Sequence, residues 1–157
     1  MSEWPKFKPV PTEDTEPYWE YCAKGELRMQ RCGACGHVRF PPSTLCPRCI
    51  SERHEWAKLS GRGRVWSWVI FHRAYYPGYA DDVPYNTAII ELEEGPRMHT
   101  NIVGCANEDI HIGMPVEVVF ELFDDGNEHA HLREHVEKCR LQLLRCVFSG
   151  DPRGEAL

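Results

Sequence analysis

The sequence lacks any long apolar run. None of its 157 residues lies in a stretch approaching the ~20 consecutive apolar residues that a membrane-spanning helix requires. The opening residues Met1–Lys6 also lack the apolar stretch and small-residue cleavage site of a secretory signal. We therefore expect a cytoplasmic protein that is not inserted in a membrane.

The short motifs of common enzyme classes are also missing. The chain contains no G-x-S-x-G, no H-E-x-x-H, no Walker loop and no dinucleotide-binding G-x-G-x-x-G. The segment Gly61-Arg62-Gly63 is too short to cradle a phosphate. His131 and His135 are one helical turn apart, which permits a second metal but is more typical of a polar helix face. On these grounds we predict no catalytic residue in this chain.

Two C-x-x-C pairs stand out among the eight cysteines, Cys32/Cys35 and Cys46/Cys49, with ten residues between the pairs. Each pair can bring two thiolates to one ion, and four thiolates complete a tetrahedral Zn²⁺ site without an open position. The spacing therefore predicts a structural zinc ion; iron in a rubredoxin-like centre has the same ligands and is the alternative. We interpret the other cysteines as small core residues: Cys22, Cys105, Cys139 and Cys146.

Short β-strands dominate the middle of the chain. A short helix is predicted from about Thr15 to just before Gly25, with Pro17 in its first turn. Runs rich in β-branched and aromatic residues, separated by turn signals, then favour an antiparallel barrel or sandwich. The predicted strands are Arg64–His72, Tyr85–Leu92, Met98–Val103 and Val116–Phe123. Apolar residues spaced by three and four predict an amphipathic helix over Glu128–Val147.

Charge is distributed unevenly. Residues 24–73 contain ten Lys or Arg and three acidic residues, a local charge of +7, whereas the rest of the chain carries −13 within the total of −6. Either an anionic partner or a solvated basic face accounts for this window.

The end of this basic window overlaps an aromatic segment that begins at Trp66. We predict that Trp66, Trp68 and Phe71 fill the core and that loop tyrosines such as Tyr75 are able to stack on a flat base.

Several stretches together resemble an acyl-CoA-associated zinc-ribbon/OB-fold family, long labelled a domain of unknown function. The resemblance covers about residues 14–123 and includes the order of helix, cysteine pairs and strands. It is carried by Leu27–Cys32, Phe40-Pro41-Pro42, Tyr76–Ala80, Val83-Pro84-Tyr85, Leu92–Arg97 and Ile112–Val118.

The resemblance implies a fold and a division of the chain. The implied fold is mainly β, with an N-terminal helix, a rubredoxin-like zinc ribbon and a small antiparallel OB-type barrel, followed here by the predicted C-terminal amphipathic helix. We expect an arm and helix over residues 1–26, the ribbon over 27–57, the barrel over 58–124, and the helix and tail over 125–157.

The resemblance also implies a function. Family members form hetero-oligomers with thiolase-fold or related catalytic subunits, so this chain is expected to be a non-catalytic auxiliary subunit that helps to form or cover a CoA-thioester site. Arginines and aromatic rings suit the phosphates and adenine of coenzyme A. The predicted contacts are Arg62, Arg64, Arg73, Tyr75 and Tyr76.

Two other functions remain open from the residues alone. Zinc ribbons and OB folds also bind single-stranded nucleic acid, although the acidic remainder of the chain disfavours backbone binding. An independent enzyme would have to use Cys105 or a histidine.

The C-terminal helix is expected to dock on the partner rather than on its own barrel.

Overall fold

We describe the fold from a computed structural model, which defines residues 10–122 and 142–148. One helix, α1, is followed by three strands of a ribbon and five strands of a barrel. The predicted mainly β fold with an N-terminal helix is confirmed. Within the described residues, no helix has the length and apolar character needed to cross a membrane.

Helix α1 spans Glu16–Ala23, as the proline and glycine signals predicted. Gly25 follows its end with φ +73°, a left-handed conformation that glycine adopts without a Cβ penalty. Tyr18 and Cys22 lie four residues apart on one face of the helix, and both are buried. Because so short a helix is marginal alone, we attribute its stability to the packing of this face.

The ribbon is a three-stranded antiparallel sheet in the order β2-β1-β3. Strand β1 spans Arg28–Cys32, β2 spans Val38–Arg39 and β3 spans His54–Lys58. The ribbon does not have a separate core. Met29 on β1 belongs to the same buried cluster as the side chains of the barrel interior.

Five strands close the barrel in the order β4-β5-β6-β8-β7. Strands β5 and β6 alternate strictly between buried and more exposed residues, the period expected when one face of a sheet lines a core. The barrel strands are β4 (Arg62–Phe71), β5 (Tyr85–Leu92), β6 (Arg97–Val103), β7 (Pro115–Leu122) and β8 (Gln142–Phe148).

The end of the predicted helix Glu128–Val147 is wrong, because strand β8 occupies it. Residues 128–141 lie outside the described residues, but 142–147 form a strand rather than helical turns. The strand pairs antiparallel with β7 and parallel with β6, so it joins two edges that the other strands leave apart. A short apolar run is compatible with both the helical period of about 3.6 residues and the strand period of about two. Here the backbone hydrogen bonds gained by closing the barrel favour the strand.

The aromatic residues of β4 also differ from the prediction that all three of them fill the core. Gly63 and Val65 are buried, so strand alternation turns Trp66 to the outer face; its indole is 47% exposed and does not fill the core. A β-bulge between Val65 and Ser67 then shifts the register and sets Trp68 opposite the buried Ala88. The Arg97 guanidinium lies 3.4 Å from the centroid of the Trp66 ring instead. Trp68 packs against the core as predicted. Phe71 stacks on Tyr85 outside the core cluster, with ring centroids 5.1 Å apart.

Gly63 provides a test of how closely β4 and β5 pack. A Cβ built on Gly63 would lie 2.6 Å from the Glu91 carbonyl oxygen and 2.8 Å from Ile90 Cγ2. We expect Gly63→Ala to lower the free energy of unfolding by about 1–3 kcal/mol, because the paired backbone cannot give way cheaply. Urea unfolding of the purified chain measures the change.

Gly33→Ala is the matched control. Gly33 lacks a left-handed φ, and a Cβ there meets nothing closer than Arg53 Cβ at 3.5 Å. Its free energy of unfolding should stay within about 0.5 kcal/mol of wild type. Equal losses in the two variants would contradict the close approach of β4 and β5.

Candidate metal centre and neighbouring surfaces

The four paired cysteines converge on one point of the ribbon. Their sulfur atoms all lie within 4.8 Å of one another. The Sγ atoms of Cys32 and Cys49 are 3.5 Å apart, and those of Cys35 and Cys46 are 3.7 Å apart. Four Zn–S bonds of about 2.3 Å in a tetrahedron require sulfur–sulfur separations of about 3.8 Å. The geometry therefore fits Zn²⁺ held by four thiolates, with a structural rather than a catalytic role.

Each cysteine pair forms a tight turn, here called a knuckle. The amides of Gly36 and Ile50 donate to the carbonyl oxygens of Cys32 and Cys46, at 2.9 and 2.8 Å. Both residues have positive φ, +73° at Gly36 and +60° at Ile50. Glycine tolerates this conformation, but a β-branched residue is strained in it. The two knuckles therefore form the same turn, but its left-handed backbone conformation is strained only at Ile50.

Backbone amides also prepare the first knuckle for a metal. Hydrogen bonds from the amides of Cys35 and Ala34 lower the pKa of the Cys32 thiol to about 6. The distance from the Ala34 nitrogen to Cys32 Sγ is 3.4 Å. Because the thiolate is the form that binds metals, these amide hydrogen bonds favour the metal-binding form of Cys32.

A buried polar network holds the loop between the knuckles in place. This network was not predicted from the sequence. Gln30 Oε1 accepts hydrogen bonds from Arg39 Nε at 2.7 Å and from the Ser43 amide at 2.9 Å. Arg39 Nη2 donates to the Ser43 carbonyl oxygen at 2.8 Å. Gln30 Nε2 lies 3.2 Å from His54 Nε2. The only available sequence signal was the pairing of polar residues on strands next to the cysteines.

The five predicted coenzyme A contacts are not brought together. Arg62 and Arg64 lie near the start of β4, whereas Arg73, Tyr75 and Tyr76 follow its end. A strand of this length spans roughly 30 Å, so the two groups lie at opposite ends of the barrel. Their assignment to coenzyme A stays a prediction.

The two groups also differ in their partners. Arg62 pairs with Glu93 at 3.1 Å, and Arg64 Nη1 donates to the Gly113 carbonyl oxygen at 3.0 Å. At the other end, Tyr75 and Tyr76 are 69% and 56% exposed. The Tyr75 ring meets Phe71 edge-on, with centroids 5.9 Å apart. The tyrosine end therefore offers more ring surface to a ligand.

Of the four cysteines predicted to be small core residues, Cys22 lies in the core and Cys105 packs against it; Cys139 and the side chain of Cys146 lie outside the described part of the chain. Cys22 is fully buried, and desolvation raises the pKa of its thiol to about 11. Cys105 packs against the core at partial burial; burial and the nearby Asp109 raise the pKa of its thiol. Neither thiol has the lowered pKa that marks a reactive cysteine.

Known proteins share both parts of this fold. Residues 19–55 match the family model described as ChsH2, rubredoxin-like zinc ribbon domain, and residues 56–121 match ChsH2, C-terminal OB-fold domain. A DUF35 domain-containing scaffold protein of Methanocaldococcus jannaschii is 43% identical over 110 residues, which are 69% of this chain and 74% of the relative. The chain belongs to the DUF35 family.

Other relatives and one solved structure extend the comparison. A benzoylsuccinyl-CoA thiolase subunit, BbsA of Thauera aromatica, is 29% identical over 100 residues, 64% of this chain and 62% of BbsA. The Ltp2-ChsH2(DUF35) aldolase structure matches with a TM-score of 0.74 and 30% identity, covering 91% of this chain and 100% of the matched chain.

Length differs among these relatives. A probable enoyl-CoA hydratase alpha subunit of Thermomonospora curvata is 38% identical over 109 residues. Those residues are 69% of this chain but only 34% of the hydratase subunit. The likeness thus concerns about a third of that protein.

The metal centre of this DUF35 chain can be tested with Cys46→Ser. Loss of one thiolate should abolish stable zinc binding and unfold the ribbon, because the metal supplies folding energy to a unit without its own core. Metal analysis should find one zinc per wild-type chain and far less than one in the variant. Limited proteolysis should then cut within residues 28–58.

Cys105→Ser is the matched control, since Cys105 lies outside the four-sulfur cluster. It should retain a full equivalent of zinc and the wild-type proteolysis pattern. Retention of zinc by Cys46→Ser would contradict the four-thiolate site.

Proposed function

We propose that this chain is a non-catalytic auxiliary subunit of an acyl-CoA-processing complex. Its partner is a thiolase- or aldolase-type catalytic subunit of the thiolase fold, which it stabilises while helping to form or cover the CoA-thioester site. One observation carries the proposal. The likeness spans ribbon and barrel together and reaches proteins named as a scaffold, as a thiolase subunit and as part of an aldolase.

The chemistry of the described residues supports this role. Four thiolates leave no position at the metal for a substrate. The thiols of Cys22 and Cys105 have raised pKa values, so neither is poised as a nucleophile. We assign the catalytic nucleophile and base to the partner, an assignment that the likeness to subunits of a thiolase and an aldolase supports.

The tyrosine end of the barrel is the better candidate for coenzyme A contact. Exposed Tyr75 and Tyr76 offer ring surface to adenine, and the exposed Arg73 lies within three residues of both. At the other end, Arg62 already pairs with the carboxylate of Glu93. We assign Arg73, Tyr75 and Tyr76 as the principal contacts, and Arg62 and Arg64 as contacts of lesser weight.

Co-purification from the native host tests the auxiliary role. The tagged chain should recover a thiolase-fold protein, and the recovered complex should turn over an acyl-CoA that the isolated chain leaves unchanged. Restoring this chain to the separated partner should restore activity. Recovery of the chain alone, or salt-sensitive capture of oligonucleotides, would contradict the proposal and favour the nucleic-acid alternative.

Substitutions at the tyrosine end test the coenzyme A contacts. Loss of one stacked ring costs about 1–3 kcal/mol, so Tyr75→Ala or Tyr76→Ala should raise KM for the acyl-CoA by roughly tenfold. Arg62→Ala should change KM by less, because its guanidinium is already paired with Glu93. Steady-state kinetics of the assembled complex measure these values.

Ile112→Ala is a control for truncating an exposed apolar side chain, since Ile112 lies next to the Gly113 contact of Arg64. It should leave KM unchanged. A larger effect at Arg62 than at either tyrosine would place the contact at the opposite end of the barrel.

A further inference from the structure

A cleft of about 380 Å³ lies between the zinc ribbon and the barrel, and we call it the ribbon–barrel cleft. The ribbon lines it with Arg39 and His37 and with the apolar Phe40 and Pro47; the barrel lines it with Glu91 and Arg97. Pro47 belongs to the second knuckle, so the cleft adjoins the metal centre; none of its lining residues lies at the tyrosine end.

Arg39 is an unusual residue for a cleft wall, because it is only 4% exposed. Two of its three guanidinium nitrogens, Nε and Nη2, donate to Gln30 and Ser43. The third, Nη1, is also buried and has no hydrogen-bond partner within the described part of the chain. Buried polar groups are nearly always paired, so an unpaired donor on a cationic side chain requires an explanation.

The positive charge of Arg39 likewise lacks a paired carboxylate among the described residues. Its two bonded acceptors are neutral oxygens. Glu91, the acidic residue of the cleft, pairs with Arg97 at 3.0 Å. A zinc ion with four thiolates carries a net charge of −2, which attracts the guanidinium from within the ribbon but supplies no acceptor to Nη1.

We propose that the ribbon–barrel cleft binds an oxoanion, a carboxylate or a phosphate, through the Nη1–H of Arg39. Such an acceptor supplies the missing hydrogen bond and places a negative charge directly against the guanidinium. Gln30 and Ser43 hold the guanidinium in place. At the barrel wall Arg97 is already paired with Glu91, so Arg39 is the principal cation, and Glu91 and the thiolate centre limit how much negative charge the cleft accepts.

The oxoanion has two possible sources, a free small molecule or an acidic side chain of a bound protein. Nη1 is covered in the structure, so the ligand must displace part of the cleft wall as it binds. The site does not depend on the auxiliary-subunit role, because it follows from Arg39 and the cleft alone.

Inorganic phosphate is the first probe, titrated into the ¹⁵N-labelled full chain at constant ionic strength. The Arg39 Nε–H signal, assigned by its disappearance in Arg39→Lys, should shift saturably because its guanidinium gains a charged partner. The Nε–H signal of Arg48, an exposed arginine of the second knuckle, should not saturate. If both signals drift in parallel without saturation, the site does not exist.

Thermal unfolding gives an independent measurement. Phosphate stabilises many proteins by exclusion from their surface, so Arg48→Met serves as the matched control and should keep the wild-type response. Arg39→Met should weaken the apparent affinity by about tenfold or more, as expected for losing a charged hydrogen bond. Equal phosphate responses in the two variants would overturn the proposal. If Arg39→Met does not fold, the wild-type titration decides alone.

Repeating the titration with a purified catalytic partner identifies the source. If an acidic side chain of the partner fills the cleft, the partner shifts the Arg39 signal and abolishes the phosphate response. If the ligand is a free anion, the phosphate response persists in the complex. Absence of an Arg39 response to both phosphate and partner rejects the site, without bearing on whether the two proteins associate.

Discussion

The convergence of four cysteine thiolates on one metal ion is the constraint on which the rest of this structure depends. The ribbon has three short strands and shares its buried side chains with the barrel. A bound Zn²⁺ joins the two cysteine pairs on either side of β2, next to the strand that carries Met29 into the shared core. Ile50, directly after the second pair, has a left-handed conformation that its side chain disfavours.

Ribbon and barrel form one structural unit because their cores are continuous. Leu27 and Met29 lie in the same cluster as the barrel residues Val65, Ile90 and Met98. The backbone reinforces the junction, since the Leu59 amide donates to the Leu27 carbonyl oxygen at 2.9 Å. A change in the ribbon is therefore expected to reach the barrel through packed side chains. The ribbon–barrel cleft is lined on its ribbon side by Phe40, which packs against this shared core.

The proposed role as an auxiliary subunit agrees with how the chemistry is distributed. The metal has no open coordination position, and the thiols of Cys22 and Cys105 have raised pKa values. Features suited to recognition lie elsewhere. These are the exposed rings of Tyr75 and Tyr76 at one end of the barrel and the buried, incompletely bonded guanidinium of Arg39 in the wall of the cleft.

Local patterns in the sequence determined the metal ligands and most element boundaries. Cysteine spacing, the proline and glycine around α1, and the alternation in Tyr85–Leu92 depend only on neighbouring residues, so they could be read directly. Tertiary structure decided the rest. A bulge in β4 set Trp68 opposite the buried Ala88, and barrel closure made 142–148 a strand. The separation of Arg62 from Tyr75 and the unpaired nitrogen of Arg39 are likewise set by long-range packing, which neither composition nor spacing encodes in a readable form.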